Sequence, residues 1–229
     1  MKIMLEGIEL THALQYVSDE EKKRLSLGRW ETEDAVLLRK HLSRNDSVLE
    51  LGACIGFISS FTNKLIDGKH VILEPNIELI PCLEETRKVN NCDFEILNKI
   101  VSDKEQEEFD VNDFRLGSRC LKKLNQKKFH PLEKNYRKTQ VQGIKMRELC
   151  DMHDFTFLFC DIEGSEYELI KNNLKEIESF DKLIFEFHYR FNTTTCNERI
   201  HKECLELLKS KFSLVEKIRS TYYFERKGK

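Results

Sequence analysis

The chain has 229 residues, 34% of them charged, and its 38 lysines and arginines against 40 aspartates and glutamates leave a formal charge of −2. That balance excludes a global electrostatic pull toward nucleic acid or an anionic membrane, and no apolar run approaches the roughly 20 residues of a membrane span. Eight cysteines without a C-x-x-C pair match neither a zinc site nor a secreted disulfide framework. The first residues, Met1 to Glu6, hold no signal-peptide h-region, so a reduced, cytoplasmic setting is expected.

The length suits a single α/β domain. Residues 1–45 read as an N-terminal helical extension. It has a short helix at Asp19–Leu25 and a second that Trp30-Glu31-Thr32-Glu33-Asp34 leads into and Ala35-Val36-Leu37-Leu38 continues. The turn Arg44-Asn45-Asp46 opens onto Ser47-Val48-Leu49-Glu50-Leu51-Gly52-Ala53-Cys54-Ile55-Gly56-Phe57. This stretch starts as a strand, breaks at Gly52 and resumes with Ile55, Ile58, Phe61, Leu65 and Ile66 on one helical face. Gly52 and Gly56 permit a tight turn and close approach of a ligand beside a helix N-terminus.

The spacing is Glu-x-Gly-x-x-x-Gly. Cys54 stands where a dinucleotide fingerprint needs its middle glycine, and no Gly-Lys-Ser/Thr follows. An acidic strand residue beside such a loop suits a cationic amine without phosphates, such as the methionine end of S-adenosylmethionine. Val71-Ile72-Leu73-Glu74 reads as the next strand, and its carboxylate about twenty residues on is suited to ribose hydroxyls. Glu31, on the helix ahead of the first strand, is a further candidate for the donor's amino group.

Pro75-Asn76 is expected to start a helix with Leu79, Ile80, Leu83 and Val89 inward. Phe94–Leu97 is a third strand ending at Asn98, whose amide is a candidate for the adenine edge. From Lys99 to Val111 the pattern predicts a β-hairpin, Ile100 and Val101 against Phe109 and Val111 about a turn at Asp103-Lys104-Glu105. Residues 112–139 are strongly basic, from Arg115, Arg119, Lys122 and Lys123 to Arg137 and Lys138, with Glu133 the one acid between Arg115 and Lys138. They are read as a lid or acceptor-docking insertion. Aromatic stacking platforms are too sparse there for a nucleic-acid surface.

Val141–Ile144 and a short helix at Met146–Met152 precede Phe155-Thr156-Phe157-Leu158-Phe159-Cys160-Asp161, an apolar run typical of a central parallel strand. Ile162-Glu163-Gly164-Ser165-Glu166 turns into a helix with Tyr167, Ile170, Leu174 and Ile177 inward. Leu183–His188 is the fifth strand. A helix with Ile200, Cys204, Leu207 and Leu208 on one stripe follows, then strands at Phe212–Val215 and Thr221–Phe224. The alternation predicts a doubly wound, Rossmann-like, mostly parallel seven-stranded sheet with a C-terminal antiparallel hairpin.

Ligands of such sheets lie outside the carboxyl ends of the strands. This chain sends Glu50/Gly52, Glu74, Asn98, Asp161/Glu163 and Glu186/His188 there. Methyl transfer to an alcohol needs a positioned nucleophile and gains about 10²–10⁴ from a general base; Asp161, Glu163 and His188 are the candidates. The main reading uses no metal. Its alternative is a divalent cation on Asp161, Glu186 and His188 that lowers the hydroxyl's pKa. Methylation of nucleobase amines is disfavoured, since Asp161-Ile162-Glu163-Gly164 stands where those enzymes carry an Asn/Asp-Pro-Pro-aromatic turn.

Trp30-Glu31, Val48 through Phe57, Glu74-Pro75-Asn76, Asn98 through Val101-Ser102, and Phe159 through Glu166 together resemble the FkbM-like methyltransferases, a class I group dependent on S-adenosylmethionine. The most specific piece is Asp161-x-Glu163-Gly164-x-Glu166. The resemblance implies O-methylation of hydroxyls on sugars or natural products. The residues expected at the donor are Glu31, then Glu50, Gly52, Ala53, Cys54, Gly56 and Phe57 of the loop, then Glu74, Pro75 and Asn76, then Asn98 and Lys99, and Asp161. Cys54 departs from the usual glycine, and residues 112–139 match nothing in the family. The expected function is O-methylation of a sugar hydroxyl on a glycan or glycoconjugate. The alternatives are a small natural-product acceptor and a non-catalytic cofactor-binding scaffold that docks an acidic partner. A chain of this kind also suits one module of a larger glycan-assembling protein.

Overall fold

A computed structural model describes residues 2–112, 136–189 and 197–228. The N-terminal segment opens with a two-residue hairpin, β1 (Met4–Leu5) against β2 (Ile8–Glu9), which its short apolar pairs did not announce. Helices α1 (Asp19–Ser26) and α2 (Thr32–His41) follow. Ser18 starts α1 with a capping box, its hydroxyl accepting from the Glu21 N–H while the Glu21 carboxylate accepts from its own.

The main sheet is built from β3 (Val48–Leu51), β4 (His70–Leu73), β5 (Glu95–Leu97), β9 (Phe157–Cys160), β10 (Lys182–Glu186), β11 (Phe212–Ile218) and β12 (Thr221–Arg226). Their order is β11-β12-β10-β9-β3-β4-β5. The strands from β10 to β5 pair in parallel, while β12 is antiparallel to both β10 and β11. Both faces are covered, as parallel sheets require. Val48, Phe157, Phe159 and Ile184 pack beside α2 and α3 (Phe57–Leu65), whereas Leu49, Leu158, Cys160, Leu183 and Phe185 pack beside α6 (Glu166–Ile177) and α7 (Glu198–Lys209). The alternation is the period-two pleat with two cores, one on each face. The order in which successive strands are added reverses between β3 and β9, the place where open α/β sheets bind ligands.

Three local expectations are corrected. The helix α4 spans Ile80–Val89 and does not begin at Pro75-Asn76. Glu74 accepts from the Asn76 N–H and Asn76 Oδ1 accepts from the Glu78 N–H, which hold 74–78 as a turn. Pro81 takes the first-turn place expected for Pro75. The 99–111 hairpin does not form either. Instead β6 (Ile100–Val101) and β7 (Gln106–Asn112) flank β8 (Tyr136–Ile144), β6 in parallel and β7 antiparallel, because a longer strand distant in sequence offers each a full ladder. Tyr136–Thr139, placed in the basic insertion by sequence, belong to β8. The rest of that expected lid, residues 113–135, lies outside the described residues. Helix α5 (Met146–Met152) leads into β9 as expected.

Candidate active site

Outside the carboxyl ends of β3, β4, β9 and β10 lies a cavity of about 620 Å³, within the range of small-ligand sites. Its floor is the crossing of two loops. Gly52 has φ +90°, and a Cβ there would stand 1.8 Å from the Asp161 carbonyl oxygen. The Asp161 N–H donates to Leu51 O at 3.0 Å and the Gly52 N–H to Leu73 O at 2.9 Å, so the end of β3 is tied to the loop after β9 on one side and to β4 on the other. Cys54 follows at φ +52°. This left-handed conformation explains why glycine is usual there. Its N–H donates to Glu74 Oε2 at 2.8 Å, and the Asn76 N–H donates to Oε1 at 2.7 Å. Burial pushes the Glu74 carboxyl up to about 7 against those two donors. Burial, with the carboxylates of Glu31, Glu74 and Asp161, raises the Cys54 thiol well above its ordinary value, so it is not a thiolate.

The opposite wall is acidic. Glu31 caps α2 at φ +44° and faces the cavity, its carboxyl raised well above the usual range by burial, then by Asp34 and Glu186. Asp34, one turn on and buried, is raised to about 8 by burial and Glu186, while the Thr221 hydroxyl that donates to it at 3.1 Å opposes the shift. Ser220 donates to Glu186 Oε1 at 2.9 Å. The turn between β11 and β12 thus orients two acids that belong to α2 and β10. Asp161 is also raised, by burial first and Glu186 next, with His188 acting against it.

His188 Nε2 lies 3.6 Å from Asp161 Oδ1 and 3.5 Å from Glu163 Oε2, while Nδ1 is 3.0 Å from Glu166 Oε1. Burial disfavours the charged ring, but the Glu166 hydrogen bond and the charges of Glu163, Glu166 and Asp161 outweigh it and hold the imidazole well above its ordinary value. Among the described residues, three of the six non-glycine residues at positive φ, Glu31, Cys54 and Glu163, line this one cavity. Backbone strain collects where side chains must be aimed.

The third wall comes from the β6–β7 region and α6. The first contributes Lys99, Ser102, Asp103, Lys104 and Glu107 with the apolar Ile100, Val101 and Phe109, and the second contributes Glu168, Asn172 and Asn173 with Leu169.

A profile of the methyltransferase FkbM domain matches residues 50–219. The chain belongs to the FkbM methyltransferase family. It is therefore a methyltransferase, and the family implies S-adenosylmethionine as donor. No curated protein gives a significant match. Among solved structures, a ribosomal protein L11 methylase from Lactobacillus delbrueckii subsp. bulgaricus is 15% identical, with 87% of this chain and 80% of that one covered and a TM-score of 0.52. A fibrillarin pre-rRNA processing protein from Methanococcus jannaschii is 15% identical, with 82% and 69% covered and a TM-score of 0.51. A fibrillarin/Nop5p complex gives 16%, with 85% and 79% covered and a TM-score of 0.51. At such identities the likeness shows the class I methyltransferase fold.

Among the residues singled out by sequence, Glu31, Gly52, Cys54, Glu74, Pro75, Lys99, Asp161, Glu163, Glu186 and His188 line the cavity. Glu50 does not. Mid-strand, its side chain leaves the sheet sideways and is fully buried, accepting from Ser59 Oγ at 2.6 Å and paired with His70 Nε2 at 3.0 Å. Gly56 is a packing glycine, since a Cβ there would meet Leu83 Cδ2 of α4 at 2.9 Å. Ala53, Phe57 and Asn76 are buried and outside the cavity lining. Asn98 donates through Nδ2 to the carbonyls of Glu74 and Pro75 at 2.8 and 3.1 Å, so it braces the Glu74 turn.

Sequence reasoning passed over Asp34, Ser220 and Thr221. Asp34 looks like any first-turn acid, and its partner Thr221 lies 187 positions away. Glu166 carried a signal, since it closes the Asp161-x-Glu163-Gly164-x-Glu166 motif.

Proposed function

We propose that this chain O-methylates a hydroxyl of a sugar or glycan, with S-adenosylmethionine spanning the cavity from Glu74 to Glu31. The donor set fits that molecule. Glu74 is a buried carboxylate whose two oxygens each accept one N–H and keep a second lone pair for a ribose hydroxyl. Gly52 lets the loop after β3 close against the Asp161 carbonyl and so shapes the cavity floor. At the far end Glu31, Asp34 and Glu186 form a buried carboxyl cluster in which burial and mutual repulsion raise Glu31 and Asp34; an ammonium and a sulfonium bound there would favour the ionised forms. When bound, the donor supplies a methyl group activated by its positive sulfur.

The chain's own residues position the acceptor and take up its proton. Asp161, made more basic than an ordinary carboxylate by burial and Glu186, is suited to receive the hydroxyl's proton. The ring of His188, already charged among its acidic neighbours, is suited to orient Asp161 and Glu163 and is a poor base. This revises its candidacy as base.

The observation that carries the sugar assignment is the third wall. Ser102, Asp103, Lys104, Glu107, Glu168, Asn172 and Asn173 offer both donors and acceptors around a few apolar side chains, a composition suited to a hydroxyl-rich ring. Incubation with radiolabelled methyl donor and a panel of neutral, uronate-bearing and phosphorylated oligosaccharides tests it. Label on an ether oxygen of a sugar is expected. Labelling confined to a parallel panel of small aromatic and polyketide alcohols would replace the sugar by a natural-product acceptor.

A further inference from the structure

We propose that Asp161, Glu186 and His188 form a site for one divalent cation of mixed oxygen and nitrogen preference, of the Mn²⁺ type, at the carboxyl ends of β9 and β10. One ligand atom from each residue lies within 4.8 Å of the other two. Opposite ligands of a divalent ion, each about 2.0–2.6 Å from it, span about the same distance, and all three residues line the cavity.

The surroundings of His188 carry the assignment. A metal-bound histidine usually gives its second ring N–H to a carboxylate, which fixes the ring and leaves the other nitrogen aimed at the ion. Here that carboxylate is Glu166, 3% exposed, whose Oε1 lies 3.0 Å from His188 Nδ1 and also accepts from the Gly164 N–H at 2.9 Å. Nε2 is thereby turned toward Asp161 Oδ1 and Glu163 Oε2 at 3.6 and 3.5 Å, which is beyond hydrogen-bond length, and a cation bound there takes the place of the proton that the charged ring carries in the empty chain.

Asp161 supplies an independent observation. Its side chain is 20% exposed, but its Oδ1 is wholly buried and has no hydrogen-bond partner among the described residues. A buried acceptor left in that state is costly, and a cation between it and Nε2 removes the cost. Glu186 is held in place by Ser220. Three protein ligands leave the remaining coordination positions open to the cavity. A hydroxyl brought there has its pKa lowered. With the cation in place Asp161 is one of its ligands, and the proton-accepting role given to it above for the cation-free site passes to its neighbour Glu163. This role rests on the methyl-transfer reading above, whereas cation binding is measured without any acceptor.

The full chain, stripped with chelator and desalted, is titrated with Mn²⁺ alone while the free-ion signal is followed by electron paramagnetic resonance. S-adenosylhomocysteine binding is measured by calorimetry on the same samples. One Mn²⁺ per chain is expected. Glu186→Gln and His188→Gln, checked by circular dichroism for a retained fold, should each weaken Mn²⁺ at least tenfold, and Glu166→Gln should weaken it about 10-fold. His188→Gln and Glu166→Gln, which leave the carboxyls assigned to the donor untouched, should keep S-adenosylhomocysteine affinity within about threefold, a change near 0.6 kcal/mol. No binding by the wild-type chain at about 1 mM free Mn²⁺ overturns the site, as does unchanged Mn²⁺ affinity in both ligand variants. Cofactor binding without Mn²⁺ binding rejects the cation alone. Loss of both also rejects the donor assignment.

Discussion

The two sides of the cavity are built on opposite principles. On the Gly52–Glu74 side, backbone does the shaping: two left-handed residues, a loop crossing with no room for a methyl group, and a carboxylate already held by two N–H donors. On the Asp161–Glu186 side, side chains do it: Glu31 and Asp34 gather by Glu186, Asp161, Glu163 and Glu166 surround one histidine, and burial raises Glu31, Asp34 and Asp161. A backbone-made surface fails by clash, all at once. A charge-made surface fails gradually and responds to pH. Substitutions on each side should therefore differ in kind as well as in size.

The largest effect is expected at Gly52. In Gly52→Ala the new Cβ meets a backbone carbonyl at 1.8 Å in a residue at φ +90°, and neither partner is a flexible side chain. A loss of about 4 kcal/mol or more is expected from combined overpacking and strain, a large share of the roughly 5–15 kcal/mol that holds a domain. A urea midpoint equal to that of wild type would show that the crossing can relax. Because the fold itself is at risk, this position is a poor probe of cofactor binding.

On the acidic side, Asp161→Asn keeps the shape and removes a carboxylate that serves the acceptor's proton, as base or as cation ligand. Turnover should fall by about 10²–10⁴ while S-adenosylhomocysteine affinity holds within about threefold. Turnover within about twofold of wild type would assign proton removal elsewhere.

Asp34 tests the charge-made side through stability. Its folded pKa, about 8, lies above the ordinary 3.8. The folded chain therefore keeps a proton that the unfolded chain gives up, and the resulting stabilisation is full below pH 3.8 and lost as pH rises toward 8. The thermal midpoint of the empty protein should fall between pH 5 and pH 9. Asp34→Asn should flatten that slope and melt higher than wild type at pH 9. Parallel curves for the two proteins would mean that Asp34 titrates normally.

The smallest effect is expected at Cys54. Relief of the left-handed strain, about 1–2 kcal/mol for a residue with a Cβ, is partly offset by the about 0.5–1 kcal/mol entropy cost of glycine. Cys54→Gly should stabilise by no more than about 1 kcal/mol in the same urea assay, and a clear destabilisation would show that the thiol's packing outweighs the strain.

The strand–loop–helix around Gly52, the strand ending at Glu74 and the apolar run into Asp161 were all readable from the chain, because each rests on local pattern: a period of two, a glycine break, a helical stripe. The pairing of β6 and β7 was not, since adjacency in sequence favours a hairpin and only β8 (Tyr136–Ile144) offers both a longer ladder. Glu50 shows the same limit within one motif. The spelling puts it beside the loop, but a strand residue's side chain lies perpendicular to the chain direction, and Glu50 ends against Ser59 and His70.

Sequence by itself determined which strands carry polar groups to the carboxyl edge and hence the methyltransferase architecture. Only the tertiary structure decided which of those groups share one cavity. Asp34 reaches Thr221, and Glu186 reaches Ser220, through contacts between α2, β10 and the β11–β12 turn. Proximity of that kind comes from how helices and strands close on a common core, and no residue's immediate neighbours in the chain encode it.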